Sequence, residues 1–346
     1  MKPTLVEAEF LPGLEPFVVE ELRGRLGKLI GPITTHHQDS VAFPYRGELP
    51  RLLDLDKVAA VYLVQPFDIP RPKALLGHQN FHQMLDQIER VRALHPPGAF
   101  ASFRFSAAGR DSSVFRRLRE EVEAHTGLRN QPDDADLLLR VRPAALGEAG
   151  WEVLIRLSPR PLSTRAWRVC DMPGALNATI ASAMAELTHP TPDDRYLNLT
   201  CGSGTLLIER LRRGPARRAG GCDLDEGALE CARENLAAAG FESRVELFEM
   251  DAARLDFPDS SFDAAVADLP WGQLVGSPAD NLALYPQVVA EAGRVVRPGG
   301  SLVLLTHAVT QFEGLLDGFA DKWSLKDVHR VFQGGLHPRI YLFERR

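Results

Sequence analysis

Cysteine is scarce in this chain: four residues among 346, at positions 170, 201, 222 and 231. None falls in a C-x-x-C spacing. That argues against a zinc ribbon or a disulfide framework, and buried thiols are expected instead. Long apolar runs are missing too. No stretch reaches the ~18–20 residues a membrane-spanning helix needs, and no charged-then-apolar leader opens the chain. The expectation is a cytoplasmic protein with no membrane segment. The ten histidines are scattered. Their closest groupings, His36-His37 and His78/His82, lack a third ligand, so no metal is expected. Net positive charge is also absent. The formal balance is −6, which at first sight disfavours nucleic acid, but it divides as +2 over residues 1–170 and −8 over 171–346. The length allows one to three domains, and 45% hydrophobic residues suffice for a full core.

The most informative stretch is Asp268-Leu269-Pro270-Trp271-Gly272. It follows the apolar run Phe262–Ala267, so it sits at a strand end. A Pro-aromatic pair there forms a rigid turn with a flat π face, and Asp268 sets a carboxylate beside it. Such a site stacks a planar base and accepts hydrogen bonds from an exocyclic amine. The plainer reading is a strand-to-loop turn with an exposed Trp. Upstream lies Asn198-Leu199-Thr200-Cys201-Gly202-Ser203-Gly204-Thr205, between a buried strand at Tyr196–Leu199 and a helix starting at Leu206. Glycines at such a turn let the backbone approach a ligand. The third glycine of a dinucleotide fingerprint is replaced by Leu207, so the motif is incomplete.

Further elements alternate. Gly220–Asp225 reads as a strand ending in acid, and Asp223 lies 19 residues after Gly204, where an acid meets a ribose diol. A helix over Glu226–Gly240 follows. Arg244–Phe248 is a third strand near Asp251, and Phe262–Asp268 is the fourth. Leu284–Val296 is helical, Pro298-Gly299-Gly300 breaks it, and Ser301–Thr306 is the fifth strand. Ser324–Phe332 and Ile340–Arg345 form a closing antiparallel hairpin. This alternation predicts an α/β fold with a doubly wound parallel sheet whose strand-end acids line one edge.

The order of these parts resembles the S-adenosylmethionine-dependent methyltransferases, over about residues 171–346. The glycine loop is similar to that family's first motif, and Asp-Leu-Pro-Trp is similar to the signature of amino-methylating members. Leu269 stands in place of the usual first Pro, and Asn198 in place of a frequent acid. The resemblance implies a Rossmann-like sheet of seven strands. It also implies donor binding by Asn198, Thr200, Cys201, Gly202, Ser203, Gly204, Thr205, Asp223, Leu224, Asp251, Ala252 and Asp268. Asp223 would take the ribose and Asp251 the adenine. Catalysis would rest on Asp268, Leu269, Pro270 and Trp271.

The first half is organised differently. Strands at Thr4–Phe10, Ser40–Pro44 and Ala59–Val64 with a helix over Leu14–Leu26 predict a small α+β module to about residue 65. A bridge through Pro66, Pro70 and Pro72 leads to helices at His78–Ala93 and Ser112–Thr126, with strands at Ala99–Phe105, Asp136–Val141 and Trp151–Leu157. Ser158–Met172 reads as a linker. Arginines gather here: Arg104, Arg110, Arg116, Arg117, Arg119, Arg129, Arg140, Arg142, Arg156, Arg160, Arg165 and Arg168. Each alone is a solvated charge, but together they suit a phosphate-binding face. Glu9-Phe10-Leu11-Pro12-Gly13-Leu14-Glu15, and Phe103-Arg104-Phe105 ahead of Arg116–Arg119, resemble an N-terminal ferredoxin-like module (1–65) followed by a THUMP domain (66–160). A linker and lead-in helix (161–185) and the methyltransferase domain (186–346) complete the division.

The combined resemblance is to THUMP-containing tRNA guanine-N2-methyltransferases. It implies methyl transfer to the exocyclic N2 of a guanine in the tRNA acceptor stem, commonly position 6, by a monomer. Arg104, Arg110, Arg116, Arg117, Arg160 and Arg165 would then contact RNA. The rival expectations are a methyltransferase of ribosomal RNA or DNA, acting on guanine N2 or adenine N6, and a non-catalytic RNA-binding protein.

Overall fold

The computed structural model describes residues 3–144, 149–270 and 278–346, so Trp271 and Gly272 lie outside the described residues. The chain divides into two compact units, Met1–Phe10 with Glu15–Thr164, and Leu11–Leu14 with Arg165–Arg346.

The first unit is built on one sheet. Its strands are β1 (Thr4–Glu9), β2 (Thr34–His37), β3 (Ser40–Tyr45), β4 (Ala60–Phe67), β5 (Ser102–Ala107), β6 (Arg129–Asn130), β7 (Leu137–Pro143) and β8 (Trp151–Arg156). They lie in the order β2-β3-β1-β4-β8-β7-β5-β6. The Pro-rich bridge read from sequence starts later than expected. β4 continues through Pro66 to Phe67, antiparallel to β8 with Pro66 opposite Glu152. Helices α1 (Glu15–Leu26), α2 (His78–Arg92) and α3 (Ser113–Thr126) accompany the sheet. α2 buries Phe81, Met84, Ile88 and Val91, and α3 buries Phe115, Leu118 and Val122. Three- and four-residue spacing puts each set on one helical stripe. Gly127, at φ 70°, stops α3, as its sequence position predicts.

The second unit carries strands β9 (Arg195–Asn198), β10 (Arg218–Asp223), β11 (Glu246–Glu249), β12 (Phe262–Asp268), β13 (Val296–Thr306), β14 (Trp323–Arg330) and β15 (Arg339–Arg345). Their order is β11-β10-β9-β12-β13-β15-β14. The first five are mutually parallel, while β15 runs antiparallel to β13 and β14 antiparallel to β15. The α/β class, the seven strands and the closing hairpin are as predicted. Helices α4 (Ala178–Leu187), α5 (Thr205–Arg212), α6 (Glu226–Ala238), α7 (Pro278–Val295) and α8 (Val309–Glu313) connect or flank them. A core of Leu197, Ala265, Leu304, Tyr285, Phe312 and Tyr341 joins the sheet to this layer. The chain leaves β9 toward β10 and β11, then returns past β9 to form β12. The order therefore reverses between β9 and β12, and sheets of this kind bind ligands at the carboxyl ends beside such a reversal.

Two expectations need correction. Pro298-Gly299-Gly300 does not separate helix from strand. β13 begins at Val296 and absorbs the three residues as an irregularity opposite Phe262 and Ala264. Cys170 and Cys231 are not thiols but a disulfide with Cα atoms 5.4 Å apart. Their separation of 61 residues gives no local spacing signal, and only folding brings them together. Cys201 and Cys222 are buried thiols as expected.

Candidate active site

β9 ends at the buried Asn198 and the chain turns through Thr200–Gly204 into α5. Gly202 and Gly204 adopt left-handed φ of 50° and 82°, a region only glycine enters without strain. A Cβ on Gly204 would lie 3.3 Å from that of Ala232, so the loop also packs closely on α6. The loop is tied to its neighbours on both sides. Cys201 N–H donates to the Cys222 carbonyl at 2.7 Å. Gly202 N–H donates to Asp223 Oδ2 at 2.8 Å, and Asp225 N–H to Asp223 Oδ1 at 3.1 Å. On the other side, Thr200 Oγ1 donates to the Asp268 carbonyl at 3.0 Å. Asp223 and Asp268, at the ends of β10 and β12, are thus set on opposite flanks of one loop.

Asp268 is the unusual group. Its Oδ1 is sealed from solvent and has no hydrogen-bond partner among the described residues. Burial without compensation pushes its carboxyl up to about 7. Leu269 is buried and its N–H donates to the Leu305 carbonyl at 2.9 Å. The Pro270 carbonyl accepts from the Tyr285 hydroxyl at 2.5 Å, and that hydroxyl lies 3.3 Å from Thr306 Oγ1. The turn carrying Asp268 is therefore held from β13 and α7. The predicted stacking residue Trp271 lies outside the described residues.

A cavity of about 290 Å³ opens between these flanks, near the lower end of the range usual for small-molecule sites. Of the predicted donor-binding residues, Thr200, Cys201, Gly202, Ser203, Thr205, Asp223, Leu224 and Asp268 line it. Asn198, Gly204, Asp251 and Ala252 do not. Asn198 is wholly buried behind the loop, its Nδ2 without a hydrogen-bond partner among the described residues. Gly204 serves the turn rather than the wall. β11 ends two residues before Asp251, whose Oδ1 accepts from Ala253 N–H at 2.8 Å to form a local turn, and Ala252 joins the core. Sequence reasoning missed a wall supplied by Met172–Leu176. The Pro173-Gly174 turn was its only local signal, inside a stretch read as linker and lead-in. The residues fit an adenosine-bearing sulfonium: a carboxylate for a diol, apolar Leu224 for a base, and the Asp268 carboxyl beyond. Burial raises the Cys201 thiol strongly, so it is an inert wall rather than a nucleophile.

The arginines separate by environment. Arg104, Arg110 and Arg119, with Phe105, Asp111, Asn130 and Pro132, line a second cavity of about 190 Å³ in the first unit. Arg116 and Arg117 are exposed on α3. Arg160 is paired with Asp134. The expected RNA contact at Arg165 is corrected: it is buried, and its Nε donates to Glu209 at 2.8 Å. Arg140 and Arg142 are likewise spent within the sheet. Arg140 bonds Glu9 at 3.1 Å, and Arg142 bonds the wholly buried Glu7 and Glu152, each at 3.1 Å. An uncompensated carboxylate in a β-sheet is costly, so these arginines neutralise the interior.

Residues 165–339 match the family described as RMKL-like, methyltransferase domain (UPF0020). The chain is similar to tRNA (guanine(6)-N2)-methyltransferase of Thermus thermophilus, 29% identical over 98% of this chain and 99% of that protein. It is similar to tRNA (guanine(6)-N(2))-methyltransferase THUMP3 of Mus musculus, 31% identical over 50% of this chain, and it spans only 37% of that relative's length. Its structure resembles the crystal structure of TrmN from Thermus thermophilus with a TM-score of 0.75 and 25% identity, covering 99% of this chain and all of that one.

Proposed function

The chain belongs to the RMKL-like methyltransferase domain family, and from that premise we propose that it methylates the exocyclic N2 of a guanine in tRNA, with S-adenosylmethionine as donor. The observation that carries the proposal is Asp268, which lines the glycine-loop cavity across the β9/β12 reversal with its Oδ1 lacking a hydrogen-bond partner among the described residues. When bound, the donor supplies an electrophilic methyl group. The chain's own residues do the rest. Asp223, already fixed by two backbone N–H donors, offers its remaining lone pairs to the ribose hydroxyls. Leu224 packs on the base. Asp268 accepts a hydrogen bond from the exocyclic amine, turns its lone pair toward the methyl, and takes the proton the nitrogen sheds. A carboxyl lifted to about 7 suits that exchange at neutral pH. The Leu269 carbonyl is a second acceptor, Pro270 stiffens the turn, and Trp271 stacks on the guanine, worth ~1–3 kcal/mol. A paired guanine must first leave its helix, at a cost of a few kcal/mol.

The whole-length Thermus relative, named for guanine 6, supports an acceptor-stem target at that position. In the same reading residues 1–65 are a ferredoxin-like module and 66–160 a THUMP domain, which holds tRNA phosphates through Arg104, Arg110, Arg116 and Arg117. The protein acts as a monomer in the cytoplasm. Methyl transfer from radiolabelled donor to unmodified tRNA, ribosomal RNA and DNA, followed by nucleoside analysis, tests this. N2-methylguanosine in tRNA alone is expected. Label in ribosomal RNA or DNA, or as N6-methyladenine, overturns the substrate. Protein that binds donor but labels nothing overturns transfer.

A further inference from the structure

The wall at Met172–Leu176 is not held by secondary structure. It belongs to a loop between Arg168 and α4 that is tied down by side chains from elsewhere. Asn235, in the interior of α6, is wholly buried. Its Oδ1 accepts from the N–H groups of Val169 and Cys170, both at 2.9 Å. Its Nδ2 donates to the Cys170 carbonyl at 2.9 Å and to the Ser203 carbonyl of the glycine loop at 3.0 Å. The amide thus spends its acceptor twice and its donors on two carbonyls, all four backbone groups, and its Nδ2 also lies 3.9 Å from the Cys231 sulfur. Asparagine is a poor residue for a helix interior, and nothing about α6 itself calls for it. One turn earlier on the same helix, Cys231 is joined to Cys170. The loop's two feet are closed by Arg168, which donates to the Leu176 carbonyl at 2.7 Å and to Thr205 Oγ1 at 3.0 Å.

We propose that Asn235 is a positioning residue for the donor cavity, latching the loop Val169–Leu176 against the glycine loop, and that the Cys170–Cys231 bond is a second, thiol-sensitive tie on the same latch. The proposal rests on reading the cavity as the donor site. Cys231 is buried and Cys170 half-buried, so a dithiol attacks at the Cys170 sulfur. The first thiolate forms a mixed disulfide and expels the Cys231 thiolate. The second thiol of the reagent then displaces Cys170. Two thiols remain on the protein, and the reagent leaves as its cyclic disulfide, having supplied two electrons and two protons. With that tie gone, Asn235 is what still holds the Val169–Cys170 end of the loop, while Arg168 holds its Leu176 end.

The test uses the full chain, oxidised and after dithiothreitol, as wild type, Asn235→Asp, Asn235→Ala and the double variant Cys170→Ser/Cys231→Ser. Hydrogen exchange at the Val169 and Cys170 amides and S-adenosylhomocysteine affinity by calorimetry are read, with steady-state donor KM and kcat beside them. Asn235→Asp keeps the acceptor and loses both donors. It is expected to keep those amides protected while weakening affinity about tenfold, the scale of one or two lost buried hydrogen bonds. Asn235→Ala is expected to expose the amides. Its affinity falls further on reduction than wild type does, because two ties on one loop are coupled. Losses fall on donor KM more than on kcat. Unchanged exchange in Asn235→Ala, or affinity losses that are independent of the disulfide's state, overturns the latch. If Asn235→Ala does not fold, the reduced wild type and the serine variant test the second tie by exchange and affinity: faster exchange and weaker affinity support it, and no change in either overturns it. Protected amides in a wild type that binds no S-adenosylhomocysteine would overturn the donor reading and leave the latch standing.

Discussion

Replacing Asp268 by Asn is expected to abolish turnover while stabilising the donor-free protein at alkaline pH. The carboxyl is raised from 3.8 to about 7 by burial alone. One pKa unit is worth about 1.4 kcal/mol, so a fully sealed group would account for about 4 kcal/mol. Relaxation around the buried charge reduces this, leaving about 1–4 kcal/mol. The sign follows from proton binding. Unfolded Asp268 loses its proton near pH 4, whereas the folded protein keeps it until about 7. Between those values the folded state holds more protons, so its stability falls as pH rises and levels off above 7. Asn cannot ionise, and the variant lacks this slope. Urea midpoints at pH 5, 6, 7 and 8 measure it. The two proteins should converge toward pH 4, and the variant should lead by about 1–4 kcal/mol at pH 8. Methyl transfer should drop by about 10²–10⁴-fold, the scale of a lost general base. In the wild type, kcat/KM should rise through about pH 7, where the free enzyme's carboxyl ionises. A variant no more stable than wild type at pH 8, or one that retains turnover, refutes the reasoning.

Tyr285→Phe removes the hydrogen bond to the Pro270 carbonyl. It should cost about 1 kcal/mol of stability and lower kcat several-fold with little change in donor KM, as steady-state kinetics will read. Gly204→Ala forces a side chain into φ 82° and within 3.3 Å of Ala232. About 1–2 kcal/mol of strain is expected, visible in thermal melts and in weaker donor binding by calorimetry. Arg210 is wholly buried and holds Asp194 and the Thr191 carbonyl, at 3.0 and 2.8 Å. Arg210→Ala should therefore destabilise by about 2–5 kcal/mol in urea titrations, since a large buried side chain leaves a cavity and the half-buried Asp194 loses its counter-charge. Neutralising Arg110 and Arg119 together should weaken tRNA binding, and should flatten its salt dependence by about 0.7–0.9 in log–log slope for each phosphate no longer neutralised. An unchanged slope would remove that cavity from the RNA surface.

Much of the second unit was legible because its signals are local. The alternation of apolar strands with helices, the glycines before α5 and the acids ending β10 and β12 each lie within a short window, and each has a short-range physical cause. Hydrophobic periodicity predicted the class and the hairpin, and glycine chemistry predicted where the loop turns. Boundaries failed where local punctuation was overruled. Pro66 and Pro298 both sit inside strands, since a proline at a ladder position whose N–H is not needed costs little.

What the sequence alone determined, then, is the inventory: an α/β unit with a glycine loop, an acid ending a strand after it, and Asp-Leu-Pro-Trp at a strand end. The tertiary structure decided which of those residues meet. Thr200 bonds the Asp268 carbonyl across 68 residues, Cys170 reaches Cys231 across 61, and Arg165 turns inward to Glu209 across 44. Contacts at such separations depend on strand order and packing. A periodicity read over a dozen residues carries no information about them, and the same reason hid Asn235, whose backbone partners lie 32 to 66 residues away.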